Sequence, residues 1–369
     1  LMDSPDATTE QFIHGMWILF RLEKLDQRFI VMALNHSSDL IRVHLLHILF
    51  EMESLNDEML DQLSTLVDHQ NSHISRAAVM ILAKNPSFEQ VYLLLARSAA
   101  INHEDTHQAY VLKQALRDHL RNAPILAQVN RSPWDEVQLP LLAAAMAGVE
   151  QVQAAQFLAN HLEELQLQAA PDQLVNYANH VARWLPEPEF GQFEDHLRKV
   201  CGNDFNLQYK VLQAMQNGLA QRGSKSQYGK SWAIKLATSI LQQPPVPNEV
   251  GGELSETDKQ QIFACEVAGN YQIDRLEPEL SRLLQTAEIH HEPRTAAATA
   301  LLSISEENFG LVAKVAQDLQ QPDQVREELY LLLVDQETDE AYELAANVIN
   351  GLSFDTQKKM VMSMSGTQQ

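Results

Sequence analysis

His103-Glu104-Asp105-Thr106-His107 is the stretch of this sequence whose residue types and spacing most directly suggest chemistry. Two histidines four apart on a helix share a face and can hold a zinc ion, with Glu104 as the general base that activates water. His103, Glu104 and His107 would then form the centre of a metal-dependent hydrolase. Two features oppose that reading. Tyr110 and Lys113 stand where the extended motif places Gly and His. The residue pattern also puts His103 in a turn with Asp105 capping the next helix, which makes the two imidazoles diverge.

The other chemical motifs are less complete. Gly223-Ser224-Lys225-Ser226-Gln227-Tyr228-Gly229-Lys230-Ser231 nearly spells a phosphate-binding loop, but has five residues between its glycines where the motif has four. It also follows a helix rather than a strand, so a loop opening the next helix is expected. His36, His69 and His103 recur at nearly matching positions. Packed helices lie about 8–10 Å apart, too far for stacked equivalents to share one ion with nitrogens about 2 Å away. They read as a solvated polar edge. His44 with His47, and His290 with His291, lack a third ligand and read as ordinary core or surface histidines. The chain's two cysteines, Cys201 and Cys265, have no CxxC spacing, which excludes a disulfide framework or a structural zinc site and leaves open a single disulfide between them. No catalytic residue, cofactor site or metal site is assigned.

The elements that would carry these residues are helices. Phe12, Ile13, Met16, Trp17, Leu19 and Phe20 recur at helical spacing, as do Ile41, Leu45, Ile48, Leu49 and Met52, with a short helix over Phe29–Leu34 between them. On an offset of thirty-three residues, Ile41, Leu45, Ile48 and Leu49 become Ile74, Ala78, Ile81 and Leu82, and a further step gives His107, Val111 and Leu112 or Ala115. Such a period means stacked helix pairs, each with an apolar face that its neighbours cover. Asp39-Leu40-Ile41-Arg42 and Asp323-Gln324-Val325-Arg326 resemble the Asp-x-Val-Arg signature of HEAT repeats, and Arg294 marks another copy. Asp39 and Asp323 are expected to cap their helices, with Arg42 and Arg326 reaching an adjacent turn or carboxylate.

The predicted fold is all-α, a HEAT-like α-α superhelix of antiparallel helix pairs. The repeat is sharpest over residues 10–121 and 256–335. The centre keeps helical spacing over Leu139–Ala147, Val152–Leu165, Leu174–Leu185, Phe205–Ala220 and Ser231–Leu241, with prolines at 133, 171, 186 and 188 between segments. Three regions are expected: an N-terminal repeat block over 1–242 with an irregular central part, a Pro/Gly linker over 243–255, and C-terminal repeats over 256–369.

Composition narrows the partners. Lys plus Arg is 27 against 49 for Asp plus Glu, a formal charge of −22, so a phosphate backbone meets repulsion and nucleic acid is not expected as a partner. No apolar run is long enough to span a membrane, and the first residues lack the regions of a signal peptide. A helix beginning within ten residues is what a piece of a longer polypeptide would show. Trp17, Trp134, Trp184 and Trp232 are dispersed among helical apolar positions and read as packing residues.

Several segments carry a family resemblance. Ile13-His14-Gly15-Met16-Trp17-Ile18-Leu19 with Arg21-Leu22, Leu25-Asp26 and Ile41-Arg42-Val43-His44 resembles the HEAT region of the large PVC-type haem-binding proteins. Asp105-Thr106-His107 with Ala115-Leu116-Arg117-Asp118-His119-Leu120, and Asn217-Gly218-Leu219-Ala220-Gln221-Arg222-Gly223, resemble further segments of it. Such proteins join a sorbosone-dehydrogenase-like propeller, a helical block and a C-terminal cytochrome c domain, and are usually exported. The resemblance covers the middle block alone and implies an exported or periplasmic location. Neither Cys201-Gly202 nor Cys265-Glu266 begins a CxxCH haem attachment sequence, and propeller-like strand alternation is absent, so the oxidoreductase activity would lie in domains outside this chain. The expected role is a non-catalytic scaffold that binds a protein partner or neighbouring domains of its own polypeptide, with a hydrolase or a stand-alone regulatory adaptor as alternatives.

Overall fold

A computed structural model describes residues 7–101, 105–167, 169–224, 228–247 and 252–365. Among these residues the secondary structure is helical, with no strand. The α-helices run in order α1 (Thr9–Arg21), α2 (Gln27–Leu34), α3 (Asp39–Glu51), α4 (Asp57–Thr65), α5 (Ser72–Lys84), α6 (Phe88–Ala100) and α7 (Thr106–Leu120). Then come α8 (Ala123–Val129), α9 (Gln138–Met146), α10 (Val152–Asn160), α11 (Leu162–Leu165), α12 (Pro171–Trp184), α13 (Phe190–Cys201), α14 (Phe205–Gln221) and α15 (Lys230–Leu241). The chain ends with α16 (Glu256–Asn270), α17 (Glu277–Gln285), α18 (His291–Ile304), α19 (Phe309–Gln317), α20 (Asp323–Val334), α21 (Asp339–Val348) and α22 (Phe354–Met364). Two compact units result, one of Leu1–Val200 with Asn217–Ser224, the other of Cys201–Gln216 with Lys225–Gln369.

Within the first unit one layer stacks in chain order, α1 on α3, α3 on α5, α5 on α7 and α7 on α9. The second layer backs it, with α2 against α3, α4 against α5, and α6 and α8 against α7. Within the second unit α16, α18, α20 and α22 stack in the same way, with α17 behind α18 and α19 and α21 behind α20. Each unit is therefore a run of stacked helix pairs. The stretch holding Pro244, Pro245 and Pro247 joins α15 to α16, which pack against each other.

Helix starts follow from local chemistry. Asp26, Asn56, Ser87 and Asp105 each accept a hydrogen bond from a backbone N–H of the first turn that has no partner inside the helix. Ser255 and Asp258 close a capping box at α16. In the centre, the expected Val152–Leu165 helix breaks at His161 into α10 and α11, and α8 and α13 join the expected set. Pro171 sits in the first turn of α12, where its missing N–H costs nothing.

The thirty-three-residue offset holds from α3 to α5: Ile41, Leu45, Ile48 and Leu49 and their counterparts Ile74, Ala78, Ile81 and Leu82 are all buried. It slips by one residue at α7. Gln108, Leu112, Ala115 and Leu116 take the core positions, while His107 is exposed and Val111 half-buried. Gln108 thus occupies an apolar site and donates Nε2 to the buried Ser75 Oγ at 2.9 Å. Ser75 in turn donates to the Val67 carbonyl at 2.5 Å. The bond pairs the amide nitrogen, which offsets part of the cost of burying it, while Oε1 is buried without a partner.

The signature residues differ from expectation in one respect. Ser38 and Pro322 hold the N-cap positions, and Asp39 and Asp323 are the first helical residues, so neither aspartate is the cap. A carboxylate in the first turn still meets the positive end of the helix dipole. Each pairs instead with the arginine one turn on, Asp39 with Arg42 at 3.4 Å and Asp323 with Arg326 at 3.1 Å. Asp39 also accepts from Asn71 Nδ2 at 2.9 Å, which ties α3 to the following pair. Arg326 Nε donates to the Ala316 carbonyl at 3.1 Å, and Arg294 Nε donates to the Leu284 carbonyl at 2.9 Å, the equivalent bond one repeat earlier. Arg294 has no exposed surface and donates a second bond, from Nη2, to Gln321 Oε1 at 2.6 Å, while its Nη1 is buried without a partner.

Candidate functional site

His103 and Glu104 lie outside the described residues. Asp105 is the cap of α7, its carboxylate accepting from the Gln108 N–H at 2.9 Å, and His107 is exposed in the first turn of that helix. His36 and His69 act as turn acceptors: Nδ1 of each receives the backbone N–H two residues on, from Ser38 at 2.9 Å and Asn71 at 3.0 Å. Their recurrence is thus a feature of the turn between the helices of a pair. His290 does the same for the Glu292 N–H at 3.2 Å and bonds the Gly252 carbonyl through Nε2 at 3.0 Å.

His290, His291 and Glu292 are the set of described residues whose potential metal-ligating atoms come within 4.8 Å of one another. Both nitrogens of His290 are committed to backbone, and His291 is held by Glu328 at 3.0 Å. The cluster is an architectural lock between α18 and α20. Cys201 and Cys265 are buried and free, and burial pushes the Cys201 thiol up to about 12, which leaves it unreactive at neutral pH. Of the phosphate-loop-like segment, Lys225 to Gln227 fall outside the described residues. Gly229 adopts φ +77° as the residue before α15, a conformation that favours glycine.

The surface feature with chemical content lies on the exposed side of the stacked layer in the first unit. A groove of about 690 Å³ crosses α1, α3, α5 and α7 and is walled by Trp17, Leu46, Phe50, Met80 and Val111. His47, His73 and His107 stand along it, so the structure brings His107 near other histidines of successive helices. A second cavity of about 500 Å³ lies between α7, the end of α9 and α12. Tyr110, 66% exposed, lines both.

The second cavity is built by two helix faces. Tyr110, Lys113 and Arg117 follow at helical spacing on the side of α7 opposite its buried Leu112, Ala115 and Leu116. Asn176, His180 and Arg183 do the same on α12. Gly148 leaves room for the stem of Arg117, since a Cβ there would sit 3.0 Å from Arg117 Cδ. Its charged lining is Lys113, Arg117 and Arg183 against Glu150, in a chain of net charge −22. The existing ion pairs are loose, Arg117 to Asp118 at 3.5 Å and Arg183 to Glu150 at 3.9 Å.

Three buried polar atoms of this lining have no hydrogen-bond partner: His180 Nε2, Trp184 Nε1 and Arg117 Nε. His180 is only 8% exposed, and burial, then the nearby Arg183, lowers its pKa to about 4, so it is neutral at physiological pH. Its ring also bonds the Val149 backbone, which leaves Nε2 as a free acceptor. The tryptophans therefore divide. Trp232 is buried as expected and bonds Gln208 at 2.9 Å, whereas Trp17 and Trp184 are groove and cavity walls.

Stacked helix pairs without strands among the described residues define the class, an all-helical repeat protein. No protein-family model and no curated protein matches the chain. Among solved structures it is similar to the UNC-45 chaperone, which binds and folds muscle myosin, at 11% identity and a TM-score of 0.32, over 97% of this chain. The chain spans 50% of the length of that structure. No described helix is long and apolar enough to cross a membrane.

Proposed function

We propose that this chain is a non-catalytic helical-repeat scaffold that seats a protein segment, from a partner or from a neighbouring domain of its own polypeptide, on the α1–α3–α5–α7 face and its extension to α12. The observation that carries this reading is the paired groove and cavity meeting at Tyr110. Repeat proteins expose such faces because each pair buries its other side against its neighbours. Apolar walls with a few placed polar groups are what a bound segment needs for affinity and orientation. The resemblance to PVC-type haem-binding proteins supports a finer version, in which the scaffold is the middle block of a larger exported protein and positions redox domains outside this chain.

The test is photo-crosslinking in the producing cell, with a benzophenone amino acid placed at Tyr110 or at Leu167, which is 83% exposed and away from the groove. A discrete adduct from position 110 and none from position 167 is expected. Equal, diffuse labelling from both positions, or none from 110, contradicts the reading.

A further inference from the structure

The occupant of the α7–α9–α12 cavity can be specified by its chemistry. We propose that this cavity recognises an acidic peptide segment, with a side-chain carboxylate held among Lys113, Arg117 and Trp184 and a peptide N–H given to His180 Nε2, while a neighbouring apolar residue enters the groove beside Tyr110. This rests on the docking-face reading above and names the partner's class.

Three observations converge on it. First, the lining has more cations than carboxylates, Lys113, Arg117 and Arg183 against Glu150, although acidic residues far outnumber basic ones in the chain as a whole. Opposite charge across an interface sets partner choice and orientation. Secondly, the orphaned atoms have definite polarity. Trp184 Nε1 and Arg117 Nε are N–H donors that require an acceptor, and His180 Nε2 is an acceptor that requires a donor. Buried polar atoms left unpaired are costly, so a ligand group that reaches and pairs them is favoured over one that does not. A carboxylate supplies acceptors for both donors, and a peptide backbone supplies the N–H. Thirdly, the adjoining groove is walled by Phe50, Met80 and Val111, which fits a residue flanking the acidic one. A peptide carries both parts on one chain, which a small carboxylate does not.

The test uses fluorescence anisotropy with fluorescein-labelled peptides of about fifteen residues: Glu-rich with interspersed Leu and Phe, the same with Gln for Glu, and the same with Lys for Glu. An oligothymidylate of similar length is the fourth probe. The Glu-rich peptide is expected to bind best, weakening as salt rises. Lys113→Glu with Arg183→Glu should reduce its affinity roughly tenfold or more. Trp184→Phe, which keeps the packing and removes one N–H, should reduce it about fivefold. Circular dichroism identical to the parent establishes that the variants are folded. Unchanged affinity in both variants, preference for the Lys-rich peptide or the oligothymidylate, or no binding of any probe overturns the proposal. Equal binding of the Gln peptide, lost on Tyr110→Ala, overturns the acidic class while leaving the docking face standing. Failure of that face itself is read separately, from the crosslink at position 110.

Discussion

Gly218→Ala is a sensitive probe of how the first unit is packed. Gly218 lies inside α14, where alanine is intrinsically better by about 1 kcal/mol. The space around it reverses that sign. A Cβ there would lie 2.4 Å from the Asn179 carbonyl oxygen and 2.8 Å from Ala182 Cβ, both on α12. Ordinary contact begins near 3.4 Å, so α12 must retreat by about 1 Å or bend, and overpacking of this kind costs about 1–3 kcal/mol or more. The retreat also disturbs Arg222, which holds the end of α12 by donating to the Leu185 carbonyl at 2.6 Å. Set against the propensity gain, the net expectation is a destabilisation of about 0–2 kcal/mol, at the upper end because the added Cβ meets backbone as well as side chain. Gly191→Ala, in the first turn of α13 with nothing within 4 Å of its added Cβ, should instead stabilise by about 0.5 kcal/mol. Urea unfolding followed by circular dichroism on both variants reads the difference as opposite shifts of midpoint. Equal stabilisation by the two substitutions would refute the close approach of α12 and α14 at Gly218.

Three further outcomes follow from the same geometry. His180 has a folded-state pKa of about 4, below its ordinary value of 6.5, so its stabilising contribution is present above pH 6.5 and is lost as pH falls toward 4. That loss is on the order of 3 kcal/mol, and urea melts of the parent and His180→Gln should show the parent's advantage shrinking across this window, whereas a constant difference contradicts the burial. His119, also pushed down by burial, titrates in both proteins and cancels. Arg294→Ala removes donors to the Leu284 carbonyl and Gln321 and opens a buried space, and should cost about 2–4 kcal/mol, with Arg294→Met costing less because it fills that space without a charge. Elemental analysis of chelator-free protein should find no stoichiometric zinc in the parent or in a His103→Ala, His107→Ala variant; zinc present in the first and lost in the second would contradict this and revive the hydrolase reading, to be pursued by substrate screening.

Much of the architecture was legible because apolar spacing is a direct imprint of a helix's buried side. Ile41 and Ile74 announce their helices and their common position, and Asp105 announces its cap by residue type alone. The slip at α7 was not legible, because one inserted residue exchanges His107 for Gln108 at a core position, and glutamine's burial depends on Ser75, thirty-three residues away. The aspartates of the repeat signature misled for a similar reason: a carboxylate suits both the cap and the first helical residue, and only the backbone decides between them. The cavity was harder still. Its signal was a second stripe, Tyr110, Lys113 and Arg117, running opposite the apolar one on α7. In the sequence Tyr110 and Lys113 stand out only as departures from a zinc motif. That Asn176, His180 and Arg183 would face them depends on how α7 and α12 are placed in space, which spacing along one helix does not encode.

The most direct test of the docking face is hydrogen exchange on the chain alone and with the partner captured through position 110. Protection concentrated in α1, α3, α5, α7 and α12, with α2, α4 and α6 unchanged, is the expected result. Protection confined to α2, α4 and α6 would place the partner on the opposite layer and contradict the account.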